Sequence, residues 1–244
     1  MEWMVRLQPV SLIIGSLFGF TLMKLRMKKQ NIQYEKMMDA VTNGFLIIVL
    51  VWKFAPAILN PVWAIGAPMP ALLAVGSIQH IIVGCVIASI YIVWKSKKEQ
   101  FSLRILLDTL PFGFCVSIIF YFIFHQEVGA QTTLPWGMKI YESKFLYHPI
   151  FMYEIILALG IIGSLWIKNE RLGNGKNISF FLICEGIAHI IISLISEQNS
   201  VLVGLSIQQI LSFCVISLGI LFVPKNKSSH ARRASMHGYF CIII

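Results

Sequence analysis

The long polar interval from His125 to Glu154, HQEVGAQTTLPWGMKIYESKFLYHPIFMYE, lies between two strongly apolar segments. It gathers His125, Gln126, Glu127, Glu142, His148, Tyr153 and Glu154, side chains that accept, donate or carry protons as general acid–base chemistry requires. Any chemistry is expected beside it. Three further features stand inside apolar surroundings. Glu185, His189, Ser193 and Ser196 recur at three- and four-residue steps, one polar stripe on one helix face, suited to lining a wet cavity or to hydrogen-bonding a neighbouring helix. His80, in VGSIQHIIVG, reads either as a packing residue satisfied by one hydrogen bond or as a proton acceptor. Lys53, in VLVWKFAP, places a charge where insertion costs at least ~2.5 kcal/mol and so calls for a partner: a lipid phosphate, Asp108, or the outer interface.

The elements that must hold these groups are membrane helices. The chain has 244 residues, 57% of them hydrophobic and 13% charged, and the apolar residues come in continuous runs. A run of ~20 residues crosses a hydrocarbon core as a helix, whereas a barrel strand would alternate. Seven runs are read as spans: 10–23, 38–59, 71–94, 103–124, 149–167, 178–196 and 204–223. The expected fold is therefore an all-α integral membrane protein of about seven spans, with 1–223 a single polytopic domain. Residues 60–70, rich in proline and tryptophan, read as an outer interfacial loop.

The net charge of +9 is not a nucleic-acid footprint, because the basic residues mark one membrane face. Lys24, Arg26, Lys28, Lys29 and Lys36 follow the first run, Lys95, Lys97, Lys98 and Arg104 the third, and Lys168, Arg171 and Lys176 the fifth. By the positive-inside rule the N-terminus is expected outside and the C-terminus in the cytoplasm. The first run lacks a small-residue cleavage site and is read as retained. Residues 224–244 form a basic tail expected to be disordered, ending in Cys241 and three isoleucines, which have the form of a prenylation box but arise easily by chance. Cys85, Cys115, Cys184 and Cys214 fall within spans without a C-x-x-C pair, so they are expected as buried apolar residues rather than disulfides or metal ligands. No metal or cofactor is expected. Ser206, Gln208, Gln209 and Ser212 are read as helix-packing groups.

Taken in order, GSIQHIIVG, QEV-G-x-x-T-x-LPW, HPxxxYE and LSIQQILSFCVISLG resemble the bacterial prolipoprotein diacylglyceryl transferase family over about residues 5 to 223. The resemblance implies a seven-span enzyme of the bacterial plasma membrane that moves diacylglyceryl from phosphatidylglycerol to the lipobox cysteine of a secreted precursor, releasing glycerol phosphate. It makes phosphatidylglycerol or a related lipid, and a prolipoprotein signal peptide, the expected partners. It further implies His80, Glu127, His148, Tyr153 and Glu154 as catalytic or positioning groups, with Lys53 and His189 toward the lipid phosphate. The family's G-R-x-G-N-F-x-N signature is replaced, its arginine and two asparagines falling at Ile119, Phe122 and His125. Two further family arginines fall at Ala130 and His189. A phosphate thereby loses positioned donors, which typically costs ~10²- to 10³-fold in rate. Three functions stay open: a transferase with a rebuilt phosphate site, a non-catalytic lipid- or lipopeptide-binding accessory protein, and a small-molecule transporter. The last lacks an inverted repeat in the sequence.

Overall fold

The structure is a computed structural model that describes residues 2–140, 143–196 and 204–224, the side chains of 2–10 excepted. Glu142 and the tail with Cys241 lie outside the described residues. The long helices are α1 (Glu2–Lys29), α2 (Glu35–Leu59), α5 (Ile78–Glu99), α6 (Leu103–Phe124), α7 (Ile150–Lys168), α8 (Lys176–Ile195) and α9 (Ile207–Leu221). Two short helices, α3 (Pro61–Gly66) and α4 (Pro68–Leu73), follow α2. The polar interval folds into three two-residue strands, β1 (Gln131–Thr132), β2 (Met138–Lys139) and β3 (Leu146–Tyr147), antiparallel in the order β1-β3-β2. Among the described residues five helices, α2, α5, α6, α7 and α8, are long and apolar enough to cross a membrane. At 15 residues α9 spans about 22 Å, short of a full crossing of roughly 30 Å.

Helix α6 is the axis of the bundle, with α1, α7 and α8 packed on it and α9 packed on α8. Its contact with α1 is close because Gly19 faces Gly113: a Cβ on Gly19 would lie 2.7 Å from the Gly113 carbonyl oxygen. Small residues let two membrane helices approach in this way, since lipid offers no hydrophobic drive for association. The pair α2–α5 stands apart from this bundle. Only 11% of the apolar window of either helix is buried, against 39% for α6, and the buried residues of α2 (Met37, Ala40, Val41, Gly44) cluster at its first turns.

Several expectations change. The third span begins at Ile78 rather than Ala71, because Pro61 and Pro68 each start a new short helix and take residues 61–73 out of any span. Lys53 does not pair with Asp108. Its Nζ donates to the Leu72 and Ala74 carbonyls at 2.6 and 3.0 Å, capping the end of α4. Cys115 is buried as expected, but Cys85 and Cys214 are exposed on the bundle surface. Ser206 and Gln209 form a capping box at the start of α9 rather than a packing contact.

One end of the bundle is tied by charge. Arg26, fully buried, donates to the Asn169 side chain and to the Glu170 carbonyl, and lies over the Phe112 and Trp166 rings. Asp108, also fully buried, accepts from the backbone N–H groups of Gly173, Gly175 and Ile178 at 2.8, 2.8 and 3.1 Å. Gly173 and Gly175 adopt positive φ (93° and 84°), which favours glycine, and this turn aims their N–H groups at the carboxylate. The acid also complements the N-terminal dipole of α8. The basic segments after α1, α5 and α7 gather at this end.

Asp108→Ala leaves one buried and two half-buried N–H groups without this acceptor and is expected to lower stability by about 3 kcal/mol. Asp108→Asn, which retains one acceptor oxygen, is expected to lose less. Unfolding midpoints in detergent check the order; equal midpoints for wild type and Asp108→Ala would contradict a stabilising tie at this carboxylate.

Candidate active site

The polar interval is pinned over the ends of α7 and α8 by backbone hydrogen bonds. Ala130 N–H donates to the Ile195 carbonyl at 2.8 Å, Gly129 N–H to the His148 carbonyl at 2.8 Å, and Phe151 N–H to the Glu127 carbonyl at 3.3 Å. Pro149 caps α7, so the helix starts at Ile150 and carries Tyr153 and Glu154 into its first turns. Glu154 then lies about 6 Å into α7, and His189 about 9 Å from the last residue of α8. Because α7 and α8 run antiparallel through a seven-residue turn, these residues meet.

His189 sits between two carboxylates. Its Nδ1 is 3.2 Å from Glu154 Oε1 and its Nε2 is 3.3 Å from Glu185 Oε1. Glu154 is 2% exposed and Glu185 9%, whereas the imidazole is 32% exposed, so the cluster opens on the histidine side. A carboxylate accepts only, and a neutral imidazole carries one N–H. Both contacts are hydrogen bonds only when the cluster holds one proton beyond a neutral histidine and two carboxylates, and it is then still net negative. Gln208 from α9 reaches His189 Nδ1 at 3.5 Å. The second Glu154 oxygen, Oε2, is buried with no hydrogen-bond partner.

A pocket of about 800 Å³ opens beside this cluster between α6, α8 and α9. Leu110, Phe114, Phe181, Leu211 and Val215 give it an apolar wall, and Glu185, His189 and Gln208 its polar edge. That is the shape of an amphiphile site: a long apolar slot with a few convergent polar groups. No lysine or arginine lines it among the described residues. Two smaller pockets, at the opposite, basic end, are lined partly by the α7–α8 turn.

A second polar chain runs through the interval above. Trp136 Nε1 donates to Tyr153 Oη at 3.0 Å, and Tyr153 Oη is 3.1 Å from His148 Nδ1. The indole can only donate, and the phenol between it and His148 Nδ1 donates to that nitrogen or accepts from it according to the histidine tautomer. His125 lies tilted against the Tyr121 ring, centroids 4.9 Å apart, and 3.8 Å from Glu127.

Of the residues singled out in the sequence, the structure brings together Glu154 and His189, and separately His148 and Tyr153. Glu127 is joined to α7 through its backbone and to His125 through its carboxylate. His80 and Lys53 belong to the α2–α5 pair, whose extensive contacts are with each other. His80 Nδ1 accepts from the Ser77 N–H at 2.9 Å in a capping box, and Lys53 holds α4. Glu185, Gln208 and Trp136 were not assigned to a site by the sequence. The stripe did mark Glu185, but its pairing with Glu154, 31 positions earlier, needs the antiparallel packing of α7 on α8.

A relative from Tropheryma whipplei (strain TW08/27) is 31% identical over 140 residues, 49% of this chain and 51% of the relative. One from Finegoldia magna is 26% identical over 153 residues, 60% of this chain and 61% of the relative. A longer match, to a Thermotoga maritima protein, is 21% identical over 249 residues, 91% of this chain and 82% of the relative. All three are named phosphatidylglycerol–prolipoprotein diacylglyceryl transferase. The chain thus spans about half to three-fifths of the length of the first two. The family model described as prolipoprotein diacylglyceryl transferase matches residues 2–224, and this chain, a helical integral membrane protein, belongs to that family.

Proposed function

We propose that the chain transfers diacylglyceryl from phosphatidylglycerol to a cysteine thiol of a lipoprotein precursor, with the donor lipid held in the α6–α8–α9 pocket. The observation that carries this reading is the pocket itself: an apolar slot ending at His189, Glu185 and Gln208, in a chain whose relatives are named for phosphatidylglycerol. The acyl chains lie against Phe114, Phe181, Leu211 and Val215, and His189 meets the headgroup phosphate. The thiol is supplied from the side of the polar interval, where the Nδ1 of His148 is set by Tyr153 and Trp136. The thiol proton passes to Nε2 of His148, which is open to accept in the tautomer whose Nδ1–H donates to Tyr153 Oη, the sulfur attacks the diacylglyceryl carbon, and the C–S bond forms as the C–O bond breaks. Glycerol phosphate leaves with the electron pair. In this reading Glu154 and Glu127 position their partners, and His80 and Lys53, held within the α2–α5 pair, act outside the pocket. The basic end faces the cytoplasm and the polar interval the outer side of a bacterial plasma membrane, with 1–223 one membrane domain and 224–244 a cytoplasmic tail.

A second reading, lipid or lipopeptide binding without transfer, is favoured by one observation. The positions of the missing signature carry Ile119, Phe122 and His125, and no cationic side chain lines the pocket among the described residues. A phosphate departing from a net-negative site lacks the electrostatic stabilisation that usually contributes most to lowering such a barrier.

Purified protein in nanodiscs with labelled phosphatidylglycerol and a lipobox peptide separates the two. Transfer above the protein-free control is expected, falling about 10²- to 10⁴-fold in His148→Ala. Bound lipid with no transfer would select the binding reading instead. Leu211→Trp and Val215→Trp, which fill the slot, are expected to reduce phospholipid retained on purification by more than about tenfold while the fold persists. Retention at the wild-type level would place the lipid elsewhere.

A further inference from the structure

We infer that Glu154, Glu185 and His189 form a binding site for a divalent transition-metal cation, with zinc(II) the best fit to the donor set. Their ligand atoms lie within 4.8 Å of one another, within reach of a single ion. One imidazole nitrogen with carboxylate oxygens is a borderline donor set of the kind zinc accepts at about 2.0–2.2 Å, which puts neighbouring ligands about 3.3 Å apart. An ion takes one ring nitrogen, and the contact on either edge, Nδ1 to Glu154 at 3.2 Å or Nε2 to Glu185 at 3.3 Å, matches that spacing, with the third donor within 4.8 Å.

Two observations beyond the clustering point to an ion. Glu154 is only 2% exposed, yet its Oε2 has no hydrogen-bond partner, an acceptor left open in a place where an unsatisfied carboxylate oxygen is costly. The charge is also uncompensated. Two carboxylates face one histidine inside the membrane-spanning helices, so even a doubly protonated imidazole leaves the cluster negative, while a divalent ion with a neutral imidazole brings it to zero. Glu185 and His189 are one helical turn apart on α8, and Glu154 comes from the facing helix, so rigid elements hold all three donors.

The ion has an outlet. Imidazole exposure and the pocket edge leave at least one coordination position facing the slot, the arrangement of an open rather than a closed site. Its consequence for transfer rests on the lipid reading above. A cation at that edge supplies, to a phosphate oxygen, positive charge where the family's arginine position holds His189. The ion takes the place of the proton shared in the cluster, so tight binding releases protons.

The test uses the full-length protein in lipid-free detergent, stripped with a chelator, with no substrate present. Zinc is measured by equilibrium dialysis and elemental analysis, and cobalt(II) by its visible absorption. One ion per chain is expected, with a cobalt spectrum of four or five coordination. Glu185→Gln and His189→Ala are expected to weaken binding by more than about tenfold, and Glu154→Gln likewise. Fewer than about one ion in ten chains for the wild type at micromolar zinc would overturn the site whatever the variants do. So would cobalt absorption that survives all three substitutions, which would place the ion on Cys85, Cys184 or Cys214. Lipid retention is measured separately, so a lost metal site leaves the pocket reading standing, and the reverse also holds.

Discussion

Two buried carboxylates held apart by one imidazole set the terms for the end of the bundle beneath the polar interval. An unpaired carboxylate in hydrocarbon is expensive, so Glu154 on α7 and Glu185 on α8 are tolerable only if something positive or protonated stays between them. His189 occupies that position. The pairing fixes how α7 and α8 face each other, keeps the polar edge at the mouth of the apolar slot, and brings Gln208 of α9 alongside. At the opposite end Asp108 and Arg26 have the same task. There three backbone N–H groups serve the acid, and an amide, a carbonyl and two aromatic rings serve the guanidinium, while Arg26 Nε and the nearby Asn177 Nδ2 stay buried without a hydrogen-bond partner.

The α2–α5 pair has a different character. Its long apolar faces are exposed, its tip beside α3 and α4 is braced internally by Lys53 on α4 and by Trp52 Nε1 on the Gly76 carbonyl, and its buried contacts gather at the basic end. In a membrane its exposed residues are lipid-facing, so exposure there is not an aggregation hazard.

The helices were legible because membrane spans announce themselves by length and apolar continuity, a signal that needs no tertiary information. Even so, the third span was misplaced by seven residues, since apolar content does not distinguish a span from the short proline-started helices α3 and α4. The candidate site was legible only along single helices. The i, i+4 stripe put Glu185 and His189 together, and HPxxxYE put His148 and Tyr153 together, because each lies within a few turns of one element. Glu154 with His189, and Trp136 with Tyr153, are tertiary pairs that only packing reveals. Lys53 shows the limit from the other side. A buried-looking lysine demands a partner, but whether that partner is a carboxylate, a phosphate or a pair of carbonyls is decided by where the chain folds back.

The central claim is that the donor lipid occupies the slot between α6, α8 and α9 with its headgroup at His189. The most direct measurement is photo-crosslinking in native membranes with phosphatidylglycerol bearing a diazirine on one acyl chain, followed by peptide mapping. Adducts on Phe114, Phe181, Leu211 and Val215 are the predicted result. Adducts confined to α2 and α5, with none on α8 or α9, would contradict it.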